Sequence, residues 1–366
     1  MVEWKKLEEI CSIITGGDTP DDCVKGQVGP SITHPYPVYS NGDEVYGYSP
    51  SFRVDKDAVT ISSIGNVGSV NFRNKNFTPI IRLKVVIPKN DLLSTKYLYY
   101  SLLDYKFIGT NSSLSSMKAA DIKKVFIPIP SLSEQSRIVG ILDTFTASIE
   151  NLKEQIAERR KQYEHYRDQL LDLEGKEDIV SWGDVCEMIK GNGVQKVDFV
   201  ESGRGCIHYG QIYTHYGSFT YTTNKYVSEE IFEKAKKASN GDLIMTDTSE
   251  NVEDICKTVA YLGEEDIAVS NHALIIKHKQ NPKFLSFSTQ TNSFLNQKRK
   301  VVVGVKVSGI KPEHLAQIKI YLPSFEEQSR IVSILDTFEA SIANLEAQLK
   351  EREKQYEYYR NKLLTF

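Results

Sequence analysis

"EQSRIVGILDTF" occupies Glu134–Phe145 and "EQSRIVSILDTF" occupies Glu327–Phe338, so one residue of twelve differs between stretches 193 positions apart. The repetition runs further. Aligned without gaps, Ser131–Leu171 and Ser324–Leu364 share 28 of 41 residues. Each copy follows a proline and opens on S-x-x-E, Ser131 with Glu134 and Ser324 with Glu327. That spacing is a capping box, in which both side chains satisfy the first free amides of a new helix. No proline follows in either copy.

The apolar spacing inside the copies sets their partner. In the first, Ile138, Leu142, Phe145, Ile149, Leu152, Ile156, Tyr163 and Tyr166 fall on a 3.5-residue repeat with Arg159 in the one polar slot. In the second the set is Ile331, Leu335, Phe338, Ile342, Leu345, Leu349, Tyr356 and Tyr359, with Arg352 in the slot. A heptad kept this long is a coiled-coil seam. Each helix would be about 60 Å long at ~1.5 Å per residue. Between them lie about 150 residues, enough for a compact domain of radius of gyration near ~15 Å. Such a domain links the end of the first helix to the start of the second with ease only where the helices run antiparallel. The expected fold is therefore α+β, with a pseudo-twofold axis relating two modules on an intramolecular antiparallel coiled coil; pairing between two chains stays open. The expected domains are 1–130, a helix at 131–173, 174–323, and a helix at 324–366. Full overlap would set Arg159 near Phe338 and Arg352 near Phe145, as register devices resting on the rings or paired with Asp336 and Asp143.

The bulk composition excludes several classes. The chain has 366 residues, 40% hydrophobic and 25% charged, as in an ordinary soluble protein. No apolar run approaches a membrane span, and "MVEWKKLEEI" lacks the apolar core of a signal peptide, so no membrane partner and a cytoplasmic location are expected. Five scattered cysteines form no C-x-x-C pair, which reads as free thiols. No phosphate-loop motif occurs, and the seven histidines lack metal-ligand spacing, so neither a catalytic centre nor a metal site is expected. Net charge is −3, against the basic balance common in nucleic-acid binders.

The modules echo one another at their ends. "VEWKKLEEI" from Val2 and "VSWGDVCEMI" from Val180 share Val, Trp and a glutamate, which aligns Trp4 with Trp182. "DIKKVFIPIPSL" (Asp121–Leu132) and "HLAQIKIYLPSF" (His314–Phe325) both alternate into a proline. Two diverged modules alternating with two near-identical "PSxxEQSRIVxILD" helices resemble the specificity subunits of type I DNA restriction–modification systems. "PVYSNGDEVYGY" (Pro37–Tyr48), "TISSIGNVGSV" (Thr60–Val70), "CIHYGQIYTHYG" (Cys206–Gly217) and "NGDLIMTDTSENVEDICKTVAY" (Asn240–Tyr261) are similar to segments of such modules.

The resemblance implies that each module reads one half of a bipartite sequence in double-stranded DNA, and that the helices set the spacing and dock two modification subunits. Those partners would carry S-adenosylmethionine for adenine methylation. Two restriction subunits would use ATP and Mg to translocate and cleave, and this chain would bind no cofactor of its own. Base readers are then sought among polar side chains in turns, and phosphate contacts among local cations. In the first module these are Tyr39, Asn41 and Ser112, with Arg53, Arg73 and Lys75. In the second they are Gln211 and Tyr213, with Lys225 and the run Lys298, Arg299 and Lys300. Each has a plain alternative as turn scaffold or solvated surface. The near-neutral charge also leaves open a non-catalytic coiled-coil scaffold that positions protein partners.

Overall fold

The computed structural model describes residues 2–103, 105–107, 117–302 and 308–366. They fall into two compact units, residues 1–153 with 347–366, and residues 154–346. In the first unit, Cys11–Thr15, Lys84–Pro88, Ala58–Ile61 and Val70–Arg73 form an antiparallel sheet in that order. Val59, Ile61 and Val86 from it share a core with Tyr97 and Leu98 of the helix Thr95–Leu103. A smaller sheet holds Val24–Lys25, Val45–Ser49, Tyr36–Tyr39 and Thr78–Pro79. The strand Glu3–Lys6 pairs antiparallel with Phe126–Ile129, which leads into the 40-residue central helix Leu132–Leu171.

The second unit repeats this frame with different filling. Cys186–Lys190, Ala273–His278, Leu243–Thr246 and Thr258–Tyr261 take the same order, extended by Phe219–Thr220, which adds in parallel. A second sheet is built from Lys225–Val227, Arg204–Ile207, Ile267–Val269 and Lys237–Ala238. The strand Ile179–Ser181 pairs with Lys319–Tyr321 ahead of the 40-residue C-terminal helix Phe325–Leu364.

The frame corrects the alignment of the two tryptophans. The Leu7 amide donates to the Val125 carbonyl at 2.9 Å, and the Trp182 amide to Ile318 at 2.8 Å. Val125 and Ile318 are 193 residues apart, as the helices are, so Trp182 is the counterpart of Leu7. Both begin a one-turn helix and are fully buried, whereas Trp4 lies three residues earlier on the edge strand and is 55% exposed. Identity of residue type misled by three positions.

The twelve-residue repeat is a socket for a module. Gln135 is buried at the start of the central helix; its amide donates to the Leu92 and Pro130 carbonyls and its oxygen accepts from the Ser94 amide. Gln328 does the same with Gln280, Pro323 and Asn281. One turn on, Ile138 and Leu142 enter the first core and Ile331 and Leu335 the second, all fully buried. Asp143 then takes Lys96 at 2.8 Å and the Tyr100 hydroxyl at 2.7 Å. Asp336 takes Lys283 at 2.8 Å, but its other oxygen is buried without a hydrogen-bond partner among the described residues. Phe287 stands four residues after Lys283, as Tyr100 does after Lys96, and lacks the hydroxyl.

The capping box forms only in half. Ser131 and Ser324 each accept the amide three residues on, at 3.3 Å. Glu134 and Glu327 do not close the box. Their two carboxylate oxygens bind Arg137 and Arg330, one turn further along. A bidentate guanidinium is a stronger partner for a carboxylate than a single amide.

Each unit holds the beginning of one long helix and the end of the other, so the pair runs antiparallel. In the first unit the Phe145 ring stacks on Tyr359 at 5.3 Å, with the Arg352 guanidinium 5.7 Å from its centre. In the second, Phe338 meets Tyr166 at 5.4 Å, with Arg159 at 5.8 Å. The arginines rest on the rings, while Asp143 and Asp336 are engaged by the modules. Ile149, Ile156 and Tyr163 are buried; Leu152, Ile342, Leu345, Leu349 and Tyr356 are half-buried. Tyr166 and Tyr359, although on the heptad, expose 45% and 41% of their surface.

Beside the seam the repeat is deliberately unequal. Lys153 pairs with Glu353 in the first unit and Arg160 with Glu346 in the second, so the signs at equivalent positions are exchanged. Two central helices packed on each other would set Lys153 against Arg160, and two C-terminal helices Glu346 against Glu353. The charges therefore favour unlike pairing. Lys153→Glu is expected to cost up to about 1 kcal/mol, recovered when Glu353→Lys is added, because exposed pairs contribute about 0.2–1 kcal/mol. Urea unfolding of the four-member cycle at low salt measures this, and a coupling of zero removes the pair as a determinant.

Candidate nucleic-acid interface

In the first module the polar turn around Asn41 is held from within. The Asn41 carboxamide oxygen accepts the Ser63 amide at 2.7 Å, and its nitrogen donates to the Ile81 carbonyl at 2.5 Å. Its backbone carbonyl accepts the Ser62 hydroxyl at 2.6 Å. Arg73 is buried over the Tyr39 ring, 4.0 Å from its centre, and donates to the Asp43 and Gly42 carbonyls. Burial lowers its pKa from the ordinary arginine value. Asn41 and Arg73 are thus corrected from DNA contacts to scaffold, because buried backbone groups require their polar atoms, while Tyr39 is half-buried and carries the Arg73 guanidinium on its ring. Beside them Asp43 accepts Asn71 and Ser69, which hold its carboxyl below the usual range and keep it charged. Arg53 and Lys75 are exposed; Arg53 steadies the Asp18 carbonyl at 2.9 Å. Ser112 lies outside the described residues.

The second module treats its candidates similarly. Lys298 is fully buried and donates to the Glu253 and Ile255 carbonyls, both at 2.8 Å; burial lowers its pKa. Arg299 pairs with Glu253 at 3.0 Å, which leaves Lys300 exposed at the end of the run. The helix end is clamped onto the 253–255 loop by Lys298, which is thus corrected to scaffold, while Arg299 is exposed and its pair with Glu253 lies at the surface. Gln211 caps its own helix by accepting the His208 amide at 2.8 Å and donates to Asn224. The Tyr213 hydroxyl donates to the Thr248 carbonyl. Both are half-buried, and Lys225 is exposed with its ammonium 5.9 Å from the Phe199 ring centre.

Other surfaces suit phosphate poorly. A hollow of about 670 Å³ in the second unit is lined by Tyr221, Tyr261, Glu264, Glu265 and Asp266. Cys11, Cys186, Cys206 and Cys256 are buried thiols, each pushed up to about 12 by burial. Among the described residues no group of His, Cys, Asp and Glu is placed to hold a metal ion, and no helix is long and apolar enough to cross a membrane.

Two unlike modules, each socketed on an equivalent stretch of a paired helix, define a two-headed recognition subunit. The family described as the type I restriction modification DNA specificity domain matches residues 1–159 and again 175–354. The chain belongs to that family, as a type I restriction–modification specificity subunit. A putative type I restriction enzyme specificity subunit of Haemophilus influenzae is 28% identical over 100% of this chain and 96% of its own. A type I restriction enzyme specificity subunit of Escherichia coli is 31% identical over 74% of this chain and 70% of its own. The crystal structure of the S subunit from M. genitalium shares the fold, with a TM-score of 0.63 at 15% identity over 100% of this chain and 96% of that chain.

Proposed function

We propose that each module reads one half of a bipartite duplex DNA target, and that the paired helices fix the spacing and dock two modification subunits. On this reading the chain is the non-catalytic member. S-adenosylmethionine acts in the methyltransferase partners, and ATP and Mg act in two restriction partners. One observation supports it above others. The outward residues Ser136, Arg137 and Thr144 are identical to Ser329, Arg330 and Thr337, although each faces solvent. Equal outward faces suit two copies of one partner, and unlike modules suit unlike half-sites.

Replacing residues 1–130 by the first module of another such subunit is expected to change one half of the modified sequence and leave the other half intact. Methylation mapping of a host carrying the hybrid reads this out; a change in both halves sinks the idea of independent readers. A protein-binding scaffold gains some support from the net charge of −3 and from the internal use of Arg73 and Lys298. DNA affinity against salt separates the two, because phosphate contacts give a steep negative slope of about −0.9 per phosphate neutralised.

A further inference from the structure

The geometry points to Arg82 and His272 as equivalent base-reading side chains, one at the tip of each module; this rests on the DNA-reading function proposed above. The two residues occupy one topological position. The strand Lys84–Pro88 pairs with Cys11–Thr15, and Ala273–His278 pairs with Cys186–Lys190 in the same register. Equivalent residues at the start of the two strands, Leu83 and Ala273, close onto a glycine: the Gly16 amide donates to Leu83 at 2.7 Å, and the Gly191 amide to Ala273 at 2.9 Å. One position earlier stand Arg82 and His272, with left-handed φ of 58° and 64°. Both are exposed. Sequence alone aligns them with nothing, since one is Arg and the other His within unrelated local sequence.

The backbone there is over-determined, which is how an unfavourable conformation is kept. Ile81 also has φ of 50°, an outlier for a β-branched residue. Its carbonyl is held by the Asn41 side chain and its amide by the Gly17 carbonyl at 2.8 Å. The Arg82 carbonyl accepts the Ser63 hydroxyl at 2.8 Å, and its amide donates to Gly16 at 3.1 Å. Gly16 permits this approach, because a Cβ there would meet Ile80 backbone atoms at 2.9 Å. In the second module Asp247 replaces Ser63: its amide donates to the His272 carbonyl at 3.2 Å. The buried Asp247 carboxylate binds Lys190 at 3.2 Å, and its other oxygen, without a hydrogen-bond partner among the described residues, lies 4.0 Å from His272 Nδ1. Tyr209 supports the imidazole edge-on at 5.4 Å.

Each turn therefore fixes its backbone and presents one polar side chain outward. The chemistry suits base edges. A guanidinium donates in a fork to guanine O6 and N7, and Ile81, 40% exposed, supplies an apolar neighbour for a thymine methyl. An imidazole with a carboxylate 4.0 Å from Nδ1 and Tyr209 against its edge presents its other nitrogen to a base edge. Asn41 and Asp247 act as positioning residues.

The test selects binding sequences from a randomised duplex library with the purified full chain, wild type beside Arg82→Ala, Arg82→Lys, His272→Ala and His272→Gln. Circular dichroism melting checks that each variant is folded, as expected for exposed side chains. Each alanine variant should lose about 10-fold in discrimination at one or two adjacent positions. Arg82→Ala should affect one half of the site only and His272→Ala the other half only, with affinity for non-specific duplex kept within about 3-fold. The inference is overturned if folded variants select the wild-type sequence, if both act on the same half, or if binding weakens evenly across sequences. A wild-type chain that selects no sequence removes the DNA-reading function itself, and the inference with it.

Discussion

Trp182→Ala is expected to lower the stability of the second unit by about 3–5 kcal/mol, while Trp4→Ala changes the first by no more than about 0.5 kcal/mol. Trp182 is among the largest fully buried side chains, set edge-on against Phe294 at 5.8 Å. It belongs to the core that also receives Ile331 and Leu335 from the C-terminal helix, so its removal opens a cavity beside the socket. Its indole nitrogen is buried without a hydrogen-bond partner among the described residues. Trp182→Phe should therefore cost only about 1 kcal/mol, since lost ring volume is offset by the removal of an unsatisfied N–H. Fluorescence is unsuitable when the fluorophore is mutated. Amide hydrogen exchange along the strand Cys186–Lys190, against Cys11–Thr15 as an internal control, gives the two units separately. Equal losses for Trp182→Ala and Trp4→Ala would restore the alignment of the tryptophans that the fold contradicts.

That alignment shows where sequence reasoning reached its limit. The long helices were legible because a heptad is a local, repeated signal, and their antiparallel course followed from the length of chain between them. The start of each module was not. The strand Glu3–Lys6 and the one-turn helix Leu7–Ile10 are too short to carry a period, so a shared tryptophan outweighed the pattern. Only the hydrogen bonds to Val125 and Ile318 set the correct offset.

The recognition surface was harder still. Asn41 and Arg73 have the composition of a solvent-facing turn, but their partners lie up to 40 residues away, at Ile81, Ser63 and Gly42. Lys298 belongs to a basic run, yet the helical turn carries it inward to two carbonyls. Side-chain chemistry shows what a residue can bind, and it does not distinguish an external partner from an internal one. Arg82 escapes sequence reading for the opposite reason, since an isolated Arg between Ile81 and Leu83 on the way into a strand carries no turn signal. The available clue was the glycine after the strands Cys11–Thr15 and Cys186–Lys190, Gly16 and Gly191, which marks a close backbone approach.

Gln135→Ala is expected to destabilise the first unit by about 2–4 kcal/mol, and Gln328→Ala the second by roughly 1 kcal/mol less. Two glutamines alone, out of the twelve-residue repeat, join helix, preceding proline and module loop at once. With Gln135 truncated, the Leu92 and Pro130 carbonyls and the Ser94 amide lose their partner together, and leaving the buried Pro130 carbonyl and the half-buried Ser94 amide unpaired costs about 1–3 kcal/mol beyond the cavity. Gln328 serves the Pro323 carbonyl and the Asn281 amide in the same way, but its third partner is the Gln280 side chain, which is half-buried and can turn to water. Gln→Met at each site separates packing from hydrogen bonding, because it keeps the shape and removes the polar atoms. If the socket is held by its hydrogen bonds, Met recovers only the cavity part of the loss. Gln→Glu should be worse than Met at neutral pH, because a carboxylate would face carbonyl oxygens that need a donor. Urea unfolding gives the magnitudes, and hydrogen exchange at the amides of 94–98, 281 and 283–285 locates them. Full recovery by Met at both sites would make the glutamines space-fillers. The exact repetition of Gln135 at Gln328 would then have to be explained by something other than the docking of a module onto its helix.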